Sequence, residues 1–98
     1  MTREQLEASL LKKLNEGQFD GQVGGDFPAP GAICRRLIRN GVPQYITIRP
    51  NEPEVVDKKH ETTEEKLKFL RSAGWMMSDP DAQLYSRLYK REDRQKNK

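Results

Sequence analysis

The sequence predicts a single α+β domain of about four helices and a small two- or three-stranded sheet, and three observations carry that expectation. Thr2 with Gln5 and Thr62 with Glu65 are capping boxes, each opening a run of apolar residues at helical spacing. Residues 44–49 alternate Tyr45, Thr47 and Arg49 against Ile46 and Ile48, the pattern of a half-buried strand. Residues 17–31 hold five glycines with Pro28 and Pro30, too many breakers for a helix, and read as a loop tied down by Phe19, Val23 and Phe27.

The first helix follows from Leu6, Leu10 and Leu14, which recur every fourth residue, with Leu11 beside them. After Pro30-Gly31, the apolar residues Ile33, Cys34, Leu37 and Ile38 predict a short second helix, ended by Asn40-Gly41 in a left-handed C-terminal conformation. On that helix Arg35 and Arg39 point the same way, and Arg36 lies roughly 100° round. Pro43 and Pro50 bracket the strand at residues 44–49 and favour an edge position.

Residues 51–61 read as a surface loop. The second capping box then opens a helix through Leu67, Phe69 and Leu70, and Gly74 stops it. Trp75-Met76-Met77 is expected to return as a strand with Trp75 in the core. Pro80 stands at the first position of a last helix that buries Leu84, Tyr85, Leu88 and Tyr89 and carries Arg87, Lys90, Arg91 and Arg94 on its other side.

At 98 residues the chain has room for one domain, residues 1–89, followed by a basic tail, residues 90–98, that frays. Residues 1–89 contain 13 Lys plus Arg and 13 Asp plus Glu, so the net charge of +3 comes from the tail. Leu, Ile, Val and Phe together number 20, a thin core that a partner, or a second copy in a homodimer, would complete. The single cysteine, Cys34, excludes an internal disulfide and points to the cytoplasm. The N-terminus has no apolar signal region, and no apolar run reaches the 18 or so residues that span a bilayer, so no membrane partner is expected.

Catalysis needs a nucleophile, an acid or base and an oriented neighbour, and Cys34 with His60 is the one pair on offer. Cys34 reads as a small apolar residue and His60 as a solvated loop histidine among Asp57, Glu61 and Glu64, without the further Cys or His ligands of a structural zinc site. Neither glycine-rich phosphate motif occurs, and the pairs Glu64-Glu65 and Asp79-Asp81 suit helix N-termini. The expectation is a protein that is not an enzyme, without metal, cofactor or small-molecule substrate.

One stretch stands out. Residues 27–51 contain no carboxylate in 25 positions but carry Arg35, Arg36, Arg39 and Arg49. Arginines that local acids do not neutralise are available to phosphates or to carboxylates of another molecule. The leading expectation is a small regulatory or accessory protein that binds nucleic acid, DNA or RNA, through this segment. Tyr45 extends the surface, and Arg87, Arg91 and Arg94 add a basic stripe. The alternative is a modulator or inhibitor that docks on a larger protein or complex, because Arg, Tyr and Trp are the residue types enriched at interface hot spots.

Overall fold

A computed structural model describes residues 1–95, with side chains through Glu92. The chain is α+β in the order α1 (Arg3–Asn15), β1 (Val23–Ala29), β2 (Ala32–Arg39), β3 (Val42–Ile48), β4 (Val55–Lys59), α2 (Thr63–Ala73), a 3₁₀ turn (Gly74–Met76) and α3 (Pro80–Gln95). The four strands form one antiparallel meander in sequence order. Among the described residues there are thus three α-helices rather than four, and the sheet is larger than expected. None of these helices is long and apolar enough to cross a membrane.

The predicted second helix is strand β2. Apolar residues at 33, 34, 37 and 38 fit a helix face, but they also fit two faces of a strand, and the turns decide. Asn40 and Gly41 have φ of 53° and 74°, the two consecutive positive values of a type I′ hairpin turn, so the pair closes β2 onto β3 instead of ending a helix. Pro30-Gly31, with Gly31 at φ 67°, joins β1 to β2 in the same way, with proline and glycine where a type II turn needs them. The expected loop at residues 17–31 therefore contains β1, and the loop at residues 51–61 contains β4. The strand at residues 44–49 is inner rather than edge: Pro43 at its start leaves the rest of the ladder intact on both sides. Register shifts mark both outer strands, at Val23/Gly25 in β1 and opposite Tyr45/Ile46 in β4.

Both capping boxes form as expected. Thr2 accepts from the Gln5 amide at 3.1 Å while Gln5 accepts from the Thr2 amide, and Thr62 and Glu65 repeat the arrangement. Asp79 caps α3 through the amides of Asp81 and Ala82, with Pro80 first in the helix. Burial alone would raise the Asp79 carboxyl, but Lys13 at 2.9 Å and the two amides outweigh it and hold it below the usual range.

The core lies between the helices and one end of the sheet. Leu6, Leu10 and Leu14 from α1, Phe69, Leu70 and Ala73 from α2, and Met77, Ala82 and Tyr85 meet Phe19 and Ile38. Full burial of a Leu side chain contributes about 1.5–3 kcal/mol, so the leucine row alone holds α1 in place. Lys13 bonds Asp79 and Asp81 while Arg3 bonds Glu92 at 2.6 Å, so α1 runs antiparallel to α3. A buried polar chain crosses all three helices: Arg71 donates to the Tyr85 hydroxyl at 3.0 Å, and that hydroxyl donates to Glu7 at 2.6 Å. Desolvation, aided by Glu7, pushes the Tyr85 phenol up to about 12.

Two expectations about side chains change. Trp75-Met76 is part of the 3₁₀ turn instead of a strand, and Trp75 is 55% exposed rather than core, whereas Met77 is buried. Leu84 and Leu88 face solvent, because α3 turns Ala82, Tyr85 and Ser86 inward instead.

The α2–α3 corner is tight at Gly74, where a Cβ would stand 2.3 Å from the Ala82 carbonyl oxygen. Gly74→Ala is therefore expected to lower stability by about 3 kcal/mol, the upper range for overpacking, and the melting temperature by roughly 10–20 °C. Thermal and urea unfolding of the variant measure both.

Candidate functional site

Register divides the sheet into two faces. Phe27, Cys34, Arg36, Ile38, Tyr45, Thr47 and Lys58 share one, and Asp26, Arg35, Leu37, Gln44 and Ile46 share the other. Along β2 the first face changes character with distance from the core: Ile38 is buried among the helices, Arg36 forms the seam with α2, and Cys34 lies beyond it, half-buried. The outer part of this face stays open, bearing Phe27 at 50% exposure and Tyr45 at 38%.

The structure separates the arginines that the sequence grouped. Asp26 stands directly opposite Arg35 in the β1–β2 register and takes its guanidinium in two bonds of 2.7 and 2.9 Å. Glu54 takes Arg39 in a double ion pair. These pairs hold both carboxyls below and both guanidiniums above their usual ranges. Arg36 donates to Ser72 Oγ at 2.7 Å and to the Gly24 carbonyl at 2.5 Å, and its guanidinium lies 4.8 Å from the Phe27 ring centre and 6.0 Å from that of Phe69. The premise of unneutralised arginines thus fails for Arg35 and Arg39, whereas Arg36 is held by neutral oxygens rather than by a carboxylate. The acids that match two of them flank the carboxylate-free stretch, and the hairpins bring them in. Arg49 is exposed and has no ion pair or side-chain hydrogen bond among the described residues; it lines a separate shallow hollow with Ile33 and Ile48. Arg94 lies outside the described side chains.

What the structure brings together instead is a row of three hollows. The first, about 230 Å³, is walled by Phe27, Cys34, Arg35, Arg36, Tyr45 and Asp57 and is largely apolar. The second, about 420 Å³, lies between the sheet and α2 and is lined by Tyr45, Lys58, His60, Lys68, Ser72 and Lys90. The third, about 380 Å³, runs along α3 between Trp75, Arg87, Lys90 and Arg91. Tyr45 is common to the first two and Lys90 to the last two, so the hollows adjoin. Lys90 also lies 4.9 Å from the Trp75 ring centre, a cation–π contact. Tyr45, Arg87 and Arg91 were expected at a binding surface. Phe27, Lys58 and Lys68 were not, and Trp75 was expected in the core.

His60 is not the solvated histidine that its charged neighbours suggested. It is 7% exposed, with its ring centre 4.6 Å from that of Tyr45 in an edge-to-face pair and 5.9 Å from that of Phe69, and its Nε2 is buried without a hydrogen-bond partner. Its Nδ1 is 4.0 Å from Glu65. Burial, then the positive field of Lys58, lowers its pKa below 6.5 against a smaller opposing effect of Glu65.

Comparison with protein-family models, with curated proteins and with solved structures finds no match for the chain.

Because the folded state disfavours the imidazolium, the unfolded chain takes up the proton first as pH falls. Stability is therefore expected to be constant for this group above pH 6.5 and to decline below it, until the folded-state pKa is passed. In His60→Gln this component disappears, which urea unfolding between pH 7.5 and 5 measures by comparison with the wild type.

Proposed function

We propose that this protein binds single-stranded nucleic acid along the row of hollows that starts at Phe27 and ends at Arg91. The observation that carries the reading is the alternation of ring and cation along adjoining hollows: Phe27, Tyr45, then Lys58 and Lys68, then Trp75 with Lys90, then Arg87 and Arg91. Bases stack on exposed rings whatever their identity, and a phosphate backbone follows ammonium and guanidinium groups, the combination by which strands are held without sequence preference. A single strand suits this surface better than a duplex, because the rings stand in concave hollows that paired bases cannot enter. In this reading Phe27 and Tyr45 flank one base in the apolar hollow, and the lysines beyond Tyr45 meet the phosphate next to it. Arg36 acts by position, holding Phe27 at the hollow's rim.

A second reading, docking on a larger protein, is favoured by Leu84 and Leu88. They lie one turn apart on α3, 38% and 58% exposed, next to Arg87 and Arg91. Its contact surface would be α3, leaving Phe27 and Tyr45 uninvolved.

Fluorescence anisotropy with labelled oligothymidylate and oligouridylate tests the first reading. Tyr45→Ala is expected to weaken binding by about 1–3 kcal/mol, the value of one stacked base. Lys68→Ala with Lys90→Ala is expected to flatten the salt dependence by about 0.7 in log–log slope for each phosphate that is no longer neutralised. Arg39→Ala should leave affinity unchanged, since its guanidinium is matched by Glu54 and lines none of the three hollows. If neither oligonucleotide binds at low salt while Leu88→Ala abolishes capture of a protein from nuclease-treated lysate, the second reading replaces the first.

A further inference from the structure

The middle hollow has a chemistry that the general strand-binding reading does not use. Its polar groups are nearly all donors. Lys58, Lys68 and Lys90 bring three ammonium groups, and Ser72, whose oxygen already accepts from Arg36, has its own hydroxyl hydrogen left to give. The one carboxylate, Glu65, is occupied: it accepts from the Thr62 amide and hydroxyl and lies 3.4 Å from Lys58. His60 adds a nitrogen, Nε2, that is buried and unmatched in a residue 93% removed from solvent. Such an atom is disfavoured unless something supplies its partner.

The charge in the hollow narrows the occupant. Three lysines against Glu65, with His60 neutral, leave two positive charges. An internal phosphodiester carries one negative charge, and a phosphate monoester carries nearly two around neutral pH with three acceptor oxygens. We infer that the hollow lined by Lys58, His60, Lys68, Ser72 and Lys90 is a receptor for a phosphate monoester, the terminal phosphate of a nucleic-acid strand. The assignment to a strand end rests on the function proposed above; the phosphate chemistry does not. The groups facing His60 are Tyr45 from β3, Lys58 from β4, Glu65, Lys68 and Phe69 from α2, and Lys90 from α3. Burial first, and then the positive field of Lys58, disfavours the imidazolium; a dianion among these groups offsets that field, so an occupied site should take up a proton at His60.

His60 is the chain's one histidine, so a single imidazole signal reports on the site by proton NMR. Titration of the full chain over pH with and without inorganic phosphate, and again with thymidine 5′-monophosphate, is expected to move the His60 midpoint upward. Anisotropy with three otherwise identical hexanucleotides, bearing no terminal phosphate, a 5′-phosphate or a 3′-phosphate, is expected to show one phosphorylated form bound about tenfold more tightly. Lys68→Ala, at an exposed position, and His60→Gln should each bring the ratio of phosphorylated to unphosphorylated affinity to about one, a readout separate from the general loss of strand affinity that removal of a Lys68 phosphate contact also brings.

Equal affinity for all three hexamers with an unmoved imidazole signal overturns the phosphate receptor and leaves strand binding standing. A shifted signal with no hexamer bound supports the receptor and removes the strand. A phosphoserine peptide that binds where phosphorylated hexamers do not overturns the assignment to nucleic-acid ends. Should His60→Gln melt at a lower temperature, Lys68→Ala carries the comparison alone.

Discussion

Arg36 fastens the sheet to the helical layer, and the open surface takes its shape from that fastening. Its guanidinium ties Gly24 of β1 to Ser72 of α2 and lies near the rings of both Phe27 and Phe69. The planar fork suits this position in a way a lysine would not, since it gives separate nitrogens to Ser72 and Gly24 while the same group lies over the Phe27 ring. Nε is left buried without a partner, so the seam holds even though one donor is unmatched. The same side chain walls the apolar hollow, which means that docking of the layers and presentation of Phe27 are one event.

The helices contribute to the site by holding two cations at the right height. Lys68 is carried by α2 and Lys90 by α3, and the positions of those helices are set by the Gly74 corner and by the polar chain from Arg71 through Tyr85 to Glu7. A buried chain of this kind specifies one arrangement, because any other leaves its members unmatched in a low-dielectric interior. α1, though remote from the hollows, supplies the carboxylate at the end of that chain and the ion pairs that fix α3 at both its ends.

Much of the fold was legible in the sequence, but not the sheet's extent. Capping boxes, the leucine row and Pro80 are local signals, decided within a few residues of one another, and each describes the helix that forms. The helix expected around Arg35 failed because four apolar residues fit two periods equally well, and Asn40-Gly41 is as good a hairpin turn as a helix stop. β4 was invisible since all five of its residues are exposed and show no alternation. The free arginines were a misreading of distance: chain separation of 9 or 15 residues from Asp26 and Glu54 vanishes once hairpins close. Tyr45, Arg87 and Arg91, which line the hollows, stood out in the sequence by residue type and, for the two arginines, by their spacing on the last helix. His60 could not, because its burial is made by rings from β3 and α2.

Both outer strands carry an irregularity, at Val23/Gly25 and opposite Tyr45/Ile46, and each has further obstacles, Pro28 within β1 and Lys58 and Lys59 at the end of β4. A meander with Val55 and Val56 facing water would otherwise invite a neighbouring chain to extend it indefinitely. Here incoming backbone meets a kink, a missing amide or an ammonium group at either margin. Overproduction to high concentration should consequently leave the protein dispersed rather than fibrillar, with any assembly built through its broad surfaces.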